Sequence, residues 1–434
     1  MTFWQGFTQA SLWFYSERYS LAELKIELIA VGDELLMGLT LDTNSNFIAR
    51  SLAKNGFRLA QMRWVADIGQ NIHQALSEAW ERSDIVLVTG GLGPTHDDLT
   101  RPVIAGFFGD RLEPRDDIRN ALLRRFEKRG FTPAPGWEVM VDFPTRAIPI
   151  PNGHGAAPGI HFSQDNRELF AMPGVPGEMI GMMEDYILPI LKKKSTGQYR
   201  YRVIKTVGAS ESQLAMLIGD PGKLLPVSLA FLPSNDNGVT LRLSLYSNTD
   251  SGESNSLITA EHLVSKAVEP YIYCKDESTI ESVIIERMRK EGLQLALAES
   301  CTGGMIAARI VDVPGSSDIL NRGFVTYSNE AKCELLGVSV SSIEQFGAVS
   351  AEVASAMATG ARERSNVDIA ISVTGIAGPG GATDTKPVGL TYIAIAGLKG
   401  VEVQRHLFAG SREENRKRAT FTALSILFDY LKRR

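Results

Sequence analysis

A serine and a cysteine stand side by side in Glu299-Ser300-Cys301-Thr302-Gly303-Gly304, and either could serve as a nucleophile. Residues 293–298 just ahead read as a short buried strand, and residues 305–311 just after are apolar and helix-prone. A strand-to-helix turn of small residues would hold the hydroxyl or thiol against the free N–H groups of a helix start, which favour negative charge. Glycine in a first helical turn loses about 1 kcal/mol relative to alanine, a loss that makes sense where a ligand must approach the backbone. A serine also needs a base. Residues 323–332, Gly-Phe-Val-Thr-Tyr-Ser-Asn-Glu-Ala-Lys, read as a strand running into a helix capped at Asn329, with Lys332 on the same face as Leu335 and Leu336. A lysine on an apolar face is desolvated, which lowers its pKa and suits it to accept a proton. The alternative is a lysine that lays its stem along the surface and keeps its ammonium in water.

Other groups fit around this pair. A buried strand at 368–373 ends in Thr374-Gly375-Ile376-Ala377-Gly378-Pro379-Gly380-Gly381, a loop without bulk that can present backbone N–H groups. Ser411 and Glu414 form a capping box for the last helix. Its apolar stripe runs through Ala419, Ala423, Ile426, Leu427 and Tyr430, and Arg412 and Arg416 extend that stripe backwards. Two inward arginines need an anion, either a phosphate or an internal carboxylate.

The first part of the chain carries a different chemistry. Short apolar runs at 26–32, 57–65 and 84–90 alternate with helical patterns near 43–53 and 72–80, which implies a doubly wound α/β sheet. Ligands of such sheets sit at the carboxyl ends of strands. Polar clusters fall there: Gly32-Asp33-Glu34, then Gly90-Gly91-Leu92-Gly93-Pro94-Thr95-His96-Asp97-Asp98, then Met172-Pro173-Gly174-Val175-Pro176-Gly177-Glu178. The glycines free the backbone to wrap an anion, Thr95 can cap the following helix, and Asp97 with Asp98 could hold a divalent metal that bridges phosphates. The alternative for the two aspartates is the acidic first turn of a capped helix. His96 lacks a second His or Cys at zinc-ligand spacing.

Composition narrows the classes. The 434 residues ask for two or three domains. A net charge of −5 offers no basic field for nucleic acid. Three scattered cysteines, Cys274, Cys301 and Cys333, fit a reducing cytoplasm. No apolar run approaches the ~20 residues that span a bilayer. Residues 1–24 mix aromatics with polar residues and read as an extension or an upstream start, against the alternative of a membrane-surface helix. Between the two chemical regions, residues 173–275 follow a β-α-β-β-α-β order, a small α+β unit.

The clusters GDELLMG with Asp42-Thr43-Asn44, GGLGPTHDD and MPGVPGEM, in this order and spacing, resemble the molybdopterin-binding, MoaB/MogA-like domain of the CinA family, the competence/damage-inducible protein A group. The match begins near Lys25. It implies a nucleotide-type ligand at Asp33, Glu34, Asn44, Gly90, Gly91, Gly93, Thr95, Pro173 and Gly174. It further implies a metal-dependent ADP-ribose pyrophosphatase activity, with a divalent cation at Asp97 and Asp98. The middle region resembles the family's KH-like unit through GASESQ and LPSNDNGVTLRLS. No phosphate-clamping GXXG loop is expected in it, so it reads as a spacer or dimer-forming piece.

Residues 276–434 resemble the CinA C-terminal domain, also found alone as PncC, the nicotinamide mononucleotide deamidase. ESCTGG, VPGSSD, GFVTYSNEAK, LLGV, TGIAGPGG and the arginine helix carry that resemblance. It implies Ser300 as nucleophile, Lys332 as base, Tyr327 and Thr374 as positioning groups, and Arg416 with Arg412 on the 5′-phosphate. Thr302, Gly303, Gly304, Gly378 and Gly380 would contact substrate, with no cofactor for deamidation. Arg322 departs from the small residue expected at its place. The whole reads as a homodimeric enzyme of small nucleotides, domains 25–172, 173–275 and 276–434. The alternative is a non-enzymatic pterin- or nucleic-acid-binding protein of competence.

Overall fold

The computed structural model describes residues 24–128, 130, 132, 136–194, 198–234, 237–247 and 253–434. Apart from Leu24, the N-terminal extension lies outside them. The chain divides into two compact units near residue 200, with residues 246–251 going to the first.

The first unit runs β1 (Ile26–Val31), α1 (Asp33–Leu36), α2 (Thr43–Lys54), β2 (Leu59–Val65), α3 (Gly69–Arg82), β3 (Ile85–Thr89), α4 (Thr100–Phe107), β4 (Leu112–Pro114) and α5 (Asp116–Lys128). A 3₁₀ turn (Trp137–Val141), β5 (Asp142–Pro144), β6 (Ile148–Ile150), β7 (Gly159–Gln164), β8 (Arg167–Met172), α6 (Pro176–Met182) and α7 (Leu188–Lys194) complete it. The main sheet has the order β2-β1-β3-β8-β7-β6. Its first four strands are parallel, and β7 and β6 are antiparallel additions.

Side-chain alternation puts Ile29, Val86, Val88, Leu169 and Ala171 on one face and Leu28, Ile85, Leu87 and Phe170 on the other. Helix α3 covers the first face through Ile72 and Leu76, and α2 covers the second through Ile48 and Leu52. The sheet is therefore doubly wound, as its apolar runs imply. The boundary expected at 172 moves. Met179, Met182, Ile187 and Leu191 fill the second face together with Ile26 and Phe170, so the helical run through Lys194 belongs to this unit.

Strand β9 (Gln198–Thr206) leads into the second unit. There α8 (Glu211–Ile218), β10 (Ser228–Ser234), β11 (Gly238–Ser247), α9 (Glu253–Val268) and β12 (Ile272–Cys274) reproduce the expected order, with sheet order β10-β11-β9-β12. Ser210 and Gln213 close a capping box on α8. One expectation is corrected by the loop that follows. Gly219-Asp220-Pro221-Gly222 does have GXXG spacing, but the Asp220 carboxylate accepts the Gly222 amide at 2.8 Å. An anionic side chain stands where such a loop would meet a phosphate.

The rest of this unit runs α10 (Ile280–Glu291), β13 (Leu295–Glu299), α11 (Met305–Val311), β14 (Leu320–Val325), α12 (Asn329–Leu336), α13 (Val340–Phe346), α14 (Ala351–Ser365), β15 (Ile369–Gly375), β16 (Leu390–Gly397), β17 (Gly400–Leu407) and α15 (Arg412–Lys432). Its sheet order is β14-β13-β15-β16-β17, parallel at the first three strands. Large residues, Leu295, Leu297, Ile371 and Ile393, meet α10 and α15 on one face, and Val207 and Tyr273 of the KH-like part join that core. The opposite face is alanine-rich, with Ala296, Ala298 and Ala370 under α14. That small-residue face lets helices come close.

The closest approach is at Gly360 of α14, where a Cβ would lie 1.8 Å from the Leu336 carbonyl oxygen at the end of α12. Gly360→Ala should therefore destabilise the protein by about 1–3 kcal/mol, although alanine is ordinarily the better helix former. Urea unfolding of the variant beside the parent checks this.

Candidate active site

Strand β13 is buried throughout and ends in Glu299, which is 1% exposed. Its carboxylate accepts the amides of Gly304 (2.9 Å), Ile306 (3.1 Å) and Ala307 (2.9 Å). The start of α11 is thus satisfied from within the protein, which corrects the expectation that Ser300 faces it. Gly303 and Gly304 have φ of +62° and +94°, so their glycines answer a left-handed backbone and not only a close ligand. The Ser300 amide bonds the Val373 carbonyl at 3.0 Å, tying the turn to β15. Arg416 is spent on the same turn, its Nε and Nη2 donating to the carbonyls of Cys301 (3.1 Å) and Thr302 (2.9 Å). The anion these arginines were expected to need is, for Arg416, a pair of carbonyl oxygens.

Lys332 lies on α12, whose cap is Ser328, accepting the Ala331 amide at 3.1 Å, in place of the expected Asn329. Its side chain is 1% exposed, which excludes the surface alternative. Nζ sits 3.2 Å from Ser300 Oγ, 2.8 Å from the Thr326 carbonyl and 3.3 Å from the carbonyls of Tyr327 and Ser328. Burial lowers its pKa below the ordinary lysine range. In the neutral form its lone pair can face the serine hydroxyl while its N–H groups bond the carbonyls. Burial acts oppositely on the neighbouring thiol and pushes Cys301 up to about 11. Lys332 directs a hydrogen bond to the serine hydroxyl.

A cavity of about 180 Å³ opens over Ser300 and Lys332, bounded by Tyr327, Thr374, Gly375 and Arg412. Thr374 Oγ1 donates to the Ala348 carbonyl at 2.8 Å. Arg412 crosses the rim, donating to the Gly378 carbonyl (2.7 Å) and the Tyr327 hydroxyl (2.9 Å). Gly380 is exposed and does not line the cavity. Asn329, read from sequence only as a helix cap, lines it as well, and so do Ala348 and Val349, which were not singled out. Only Asn329 fell inside a motif.

The first unit holds a larger cavity of about 560 Å³ at the carboxyl ends of its strands. Gly90, Gly91, Gly93, Thr95, Asp97, Asp98, Pro173, Gly174 and Glu34 all line it. A Cβ at Gly90 would lie 2.2 Å from the Val31 carbonyl oxygen, and one at Gly91 2.3 Å from Thr100 Oγ1, so only glycine fits at either. Asp98 accepts the Thr95 amide at 2.8 Å and also its hydroxyl. The helix begins later, at Thr100, so Thr95 does not cap it and the aspartates are not its first turn. Asp33 turns away to exchange bonds with Asp67, 2.8 Å and 3.3 Å. Asn44 holds the Gly174 carbonyl at 2.6 Å from outside the lining.

Two residues here escaped the sequence reading. Asp67 lines the cavity, and burial raises its pKa, with Asp33, Glu34 and Asp97 adding their repulsion. Arg101, 2% exposed, props the glycine loop from beneath through the carbonyls of Leu92 and Val139. Glu34, Asp67 and Asp97 are hard oxygen donors of the kind magnesium or manganese takes. Among the described residues no three His, Cys, Asp or Glu converge on one point. A magnesium-type ion needs only one or two carboxylates when phosphates and water complete its shell, so the donors fit a cation that arrives with its substrate.

Three family profiles match in series: a probable molybdopterin binding domain at 27–193, the damage-inducible protein CinA KH domain at 201–274 and the CinA C-terminal domain at 277–431. A competence-damage inducible protein of Halothermothrix orenii is 40% identical over 407 residues, covering 94% of this chain and 98% of its own. The chain belongs to the CinA family. A CinA-like protein of Geotalea uraniireducens is 39% identical over 414 residues, covering 95% and 97% of the two chains. Among solved structures, the competence/damage inducible protein CihA from Agrobacterium tumefaciens is 43% identical over 35% of this chain and 93% of its own, with a TM-score of 0.34. The chain joins a MoaB/MogA-like domain, a KH-like domain and a CinA C-terminal domain. No helix among the described residues is long and apolar enough to cross a membrane.

The raised Cys301 thiol has a direct readout. In the native CinA-type protein at pH 8, about one Cys301 in a thousand should be thiolate. Iodoacetamide should then label Cys301 only after unfolding, as read by peptide mass spectrometry.

Proposed function

We propose that the C-terminal domain hydrolyses nicotinamide mononucleotide to nicotinate mononucleotide and ammonia. The observation that carries this reading is the buried Lys332 amine 3.2 Å from Ser300 Oγ, with no carboxylate paired to it among the described residues. Lys332 takes the hydroxyl proton as Ser300 Oγ bonds to the carboxamide carbon. The amides of Gly303 and Gly304 are committed to Ser300 and Glu299. Those of Cys301 and Thr302, next to the nucleophile, would serve as donors for the oxyanion. The tetrahedral species collapses, the C–N bond breaks, and the Lys332 proton leaves on ammonia. Water, deprotonated by the same amine, then cleaves the ester and returns the proton to Ser300.

Size and charge agree with this substrate. A cavity of about 180 Å³ suits the pyridine ring and its carboxamide, while the ribose phosphate extends to the rim. Arg412, exposed there and held by the Gly378 carbonyl and the Tyr327 hydroxyl, is the group that can turn to the phosphate. Arg416 contributes by fixing the turn.

For the first unit, we infer cleavage of ADP-ribose to AMP and ribose 5-phosphate. The supporting observation is the cavity's glycine loop with carboxylates facing it. One or two of the lining carboxylates, from Glu34, Asp67 and Asp97, would hold the divalent cation, with phosphate and water completing its shell; when bound it would neutralise and polarise the diphosphate. Gly90, Gly91 and Gly93 keep side chains out of its way.

Ser300→Ala should lower ammonia release from nicotinamide mononucleotide by about 10³-fold or more, and Lys332→Arg, which cannot deprotonate, similarly. Cys301→Ala should keep most activity. Because the base must be neutral, kcat/KM should rise with pH through the lowered Lys332 pKa and level off below the ordinary lysine range. A wild-type rate in Ser300→Ala sinks the serine mechanism. EDTA should abolish ADP-ribose cleavage and leave deamidation intact.

A further inference from the structure

The larger cavity has two unlike walls. One is the glycine loop with its carboxylates. The other is apolar and is built by Phe126, Trp137 and Met140. Phe126 and Trp137 meet edge to face, centroids 5.4 Å apart at 84°, so each ring holds the other's orientation. Both are only half-buried. The 3₁₀ turn that carries Trp137 is anchored by Met140 and Val141, which are 4% and 0% exposed. It starts from Gly136 at φ +96°, a conformation that side chains rarely adopt. The core therefore secures the turn and leaves the indole at the cavity.

Charge sharpens the question of what that wall is for. No lysine, arginine or histidine lines this cavity among the described residues. A nucleotide phosphate thus finds no protein cation, and affinity must come from elsewhere. Glu178, held by Asn152 Nδ2 at 2.6 Å, offers an acceptor suited to a sugar hydroxyl and not to a phosphate. The space for that carboxylate is reserved by Gly155, where a Cβ would lie 1.7 Å from Glu178 Cδ.

We propose that Trp137, braced by Phe126, is the stacking platform for the purine of a nucleotide in this cavity, and that this contact binds the ligand without a cation. The proposal rests on reading the cavity as a nucleotide site, but not on cleavage there. Base–aromatic stacking supplies affinity without demanding charge, and a flat ring on a fixed indole loses little freedom. The base would then set where the diphosphate lies relative to Glu34, Asp67 and Asp97.

The chain's own tryptophans supply the test. All five, Trp4, Trp13, Trp64, Trp80 and Trp137, precede residue 138, so the KH-like and C-terminal domains contribute no indole of their own. Adenosine added to the full chain in EDTA should quench the emission of the parent and not that of Trp137→Phe. Ribose 5-phosphate under the same conditions should do nothing. With magnesium present, Trp137→Ala should raise the ADP-ribose KM roughly 5- to 100-fold, more than it changes kcat, while Trp137→Phe keeps a ring and loses less. Failure of adenosine to quench, or equal quenching in Trp137→Phe, overturns the proposal. So does a free pterin that quenches where adenosine does not. If ADP-ribose is not cleaved but adenosine still quenches through Trp137, the purine site stands and the pyrophosphatase reading falls. Cleavage with an unchanged KM in a folded Trp137→Ala overturns the stacking contact instead.

Discussion

An amine taken out of water with no carboxylate at ion-pair distance among the described residues is the constraint on which the C-terminal half depends. Three carbonyls in succession, those of Thr326, Tyr327 and Ser328, and one hydroxyl surround the Lys332 nitrogen. Carbonyl dipoles satisfy N–H groups without supplying the full charge that would keep the amine protonated. That arrangement needs α12 to leave β14 in a tight bend, and it needs α12 to be pressed against α14. Gly360 and the alanine face of the sheet make such closeness possible. The packing of the domain and the basicity of its lysine are one problem solved once.

The two cavities invert each other's electrostatics. Over Ser300 a buried nitrogen base faces neutral walls and an arginine rim. In the first unit the charged lining is wholly acidic. A carboxamide asks for a base and dipoles, whereas a diphosphate beside carboxylates asks for a metal. Separate units can meet these opposed demands because each carries its own sheet and its own core.

Much of this was legible in the chain. Near-continuous apolar runs in β1 and β3 announce a sheet covered on both faces, and Ser210–Gln213 and Ser411–Glu414 are caps visible as text. Ser300 and Lys332 were each visible as candidates, from the turn and from the apolar face of α12, but their pairing came through the family resemblance and not from local pattern. What escaped was partner choice over long separations. Nothing local says that Arg416 grips the carbonyls of Cys301 and Thr302, 115 and 114 positions away. The same holds for Asp67, whose partner Asp33 is 34 positions distant. Helix starts misled where several polar residues competed, as at Ser328 beside Asn329. The end of the first sheet domain was misplaced because α6 and α7 follow a Pro-Gly loop that reads as a boundary but is only a turn.

Glu299 has a consequence for timing. Its carboxylate bonds the three amides that open α11, Ser300 is tied to β15, and Arg416 braces the turn between them. The nucleophile loop therefore reaches its working shape when the domain folds, before any substrate arrives. On the proposed reading, charge that develops on a bound carboxamide would meet dipoles already oriented, leaving little reorganisation energy to be supplied during turnover. On the same reading the group left to turn is the exposed rim arginine, so a slow conformational step would belong to substrate entry and product exit and not to the chemistry.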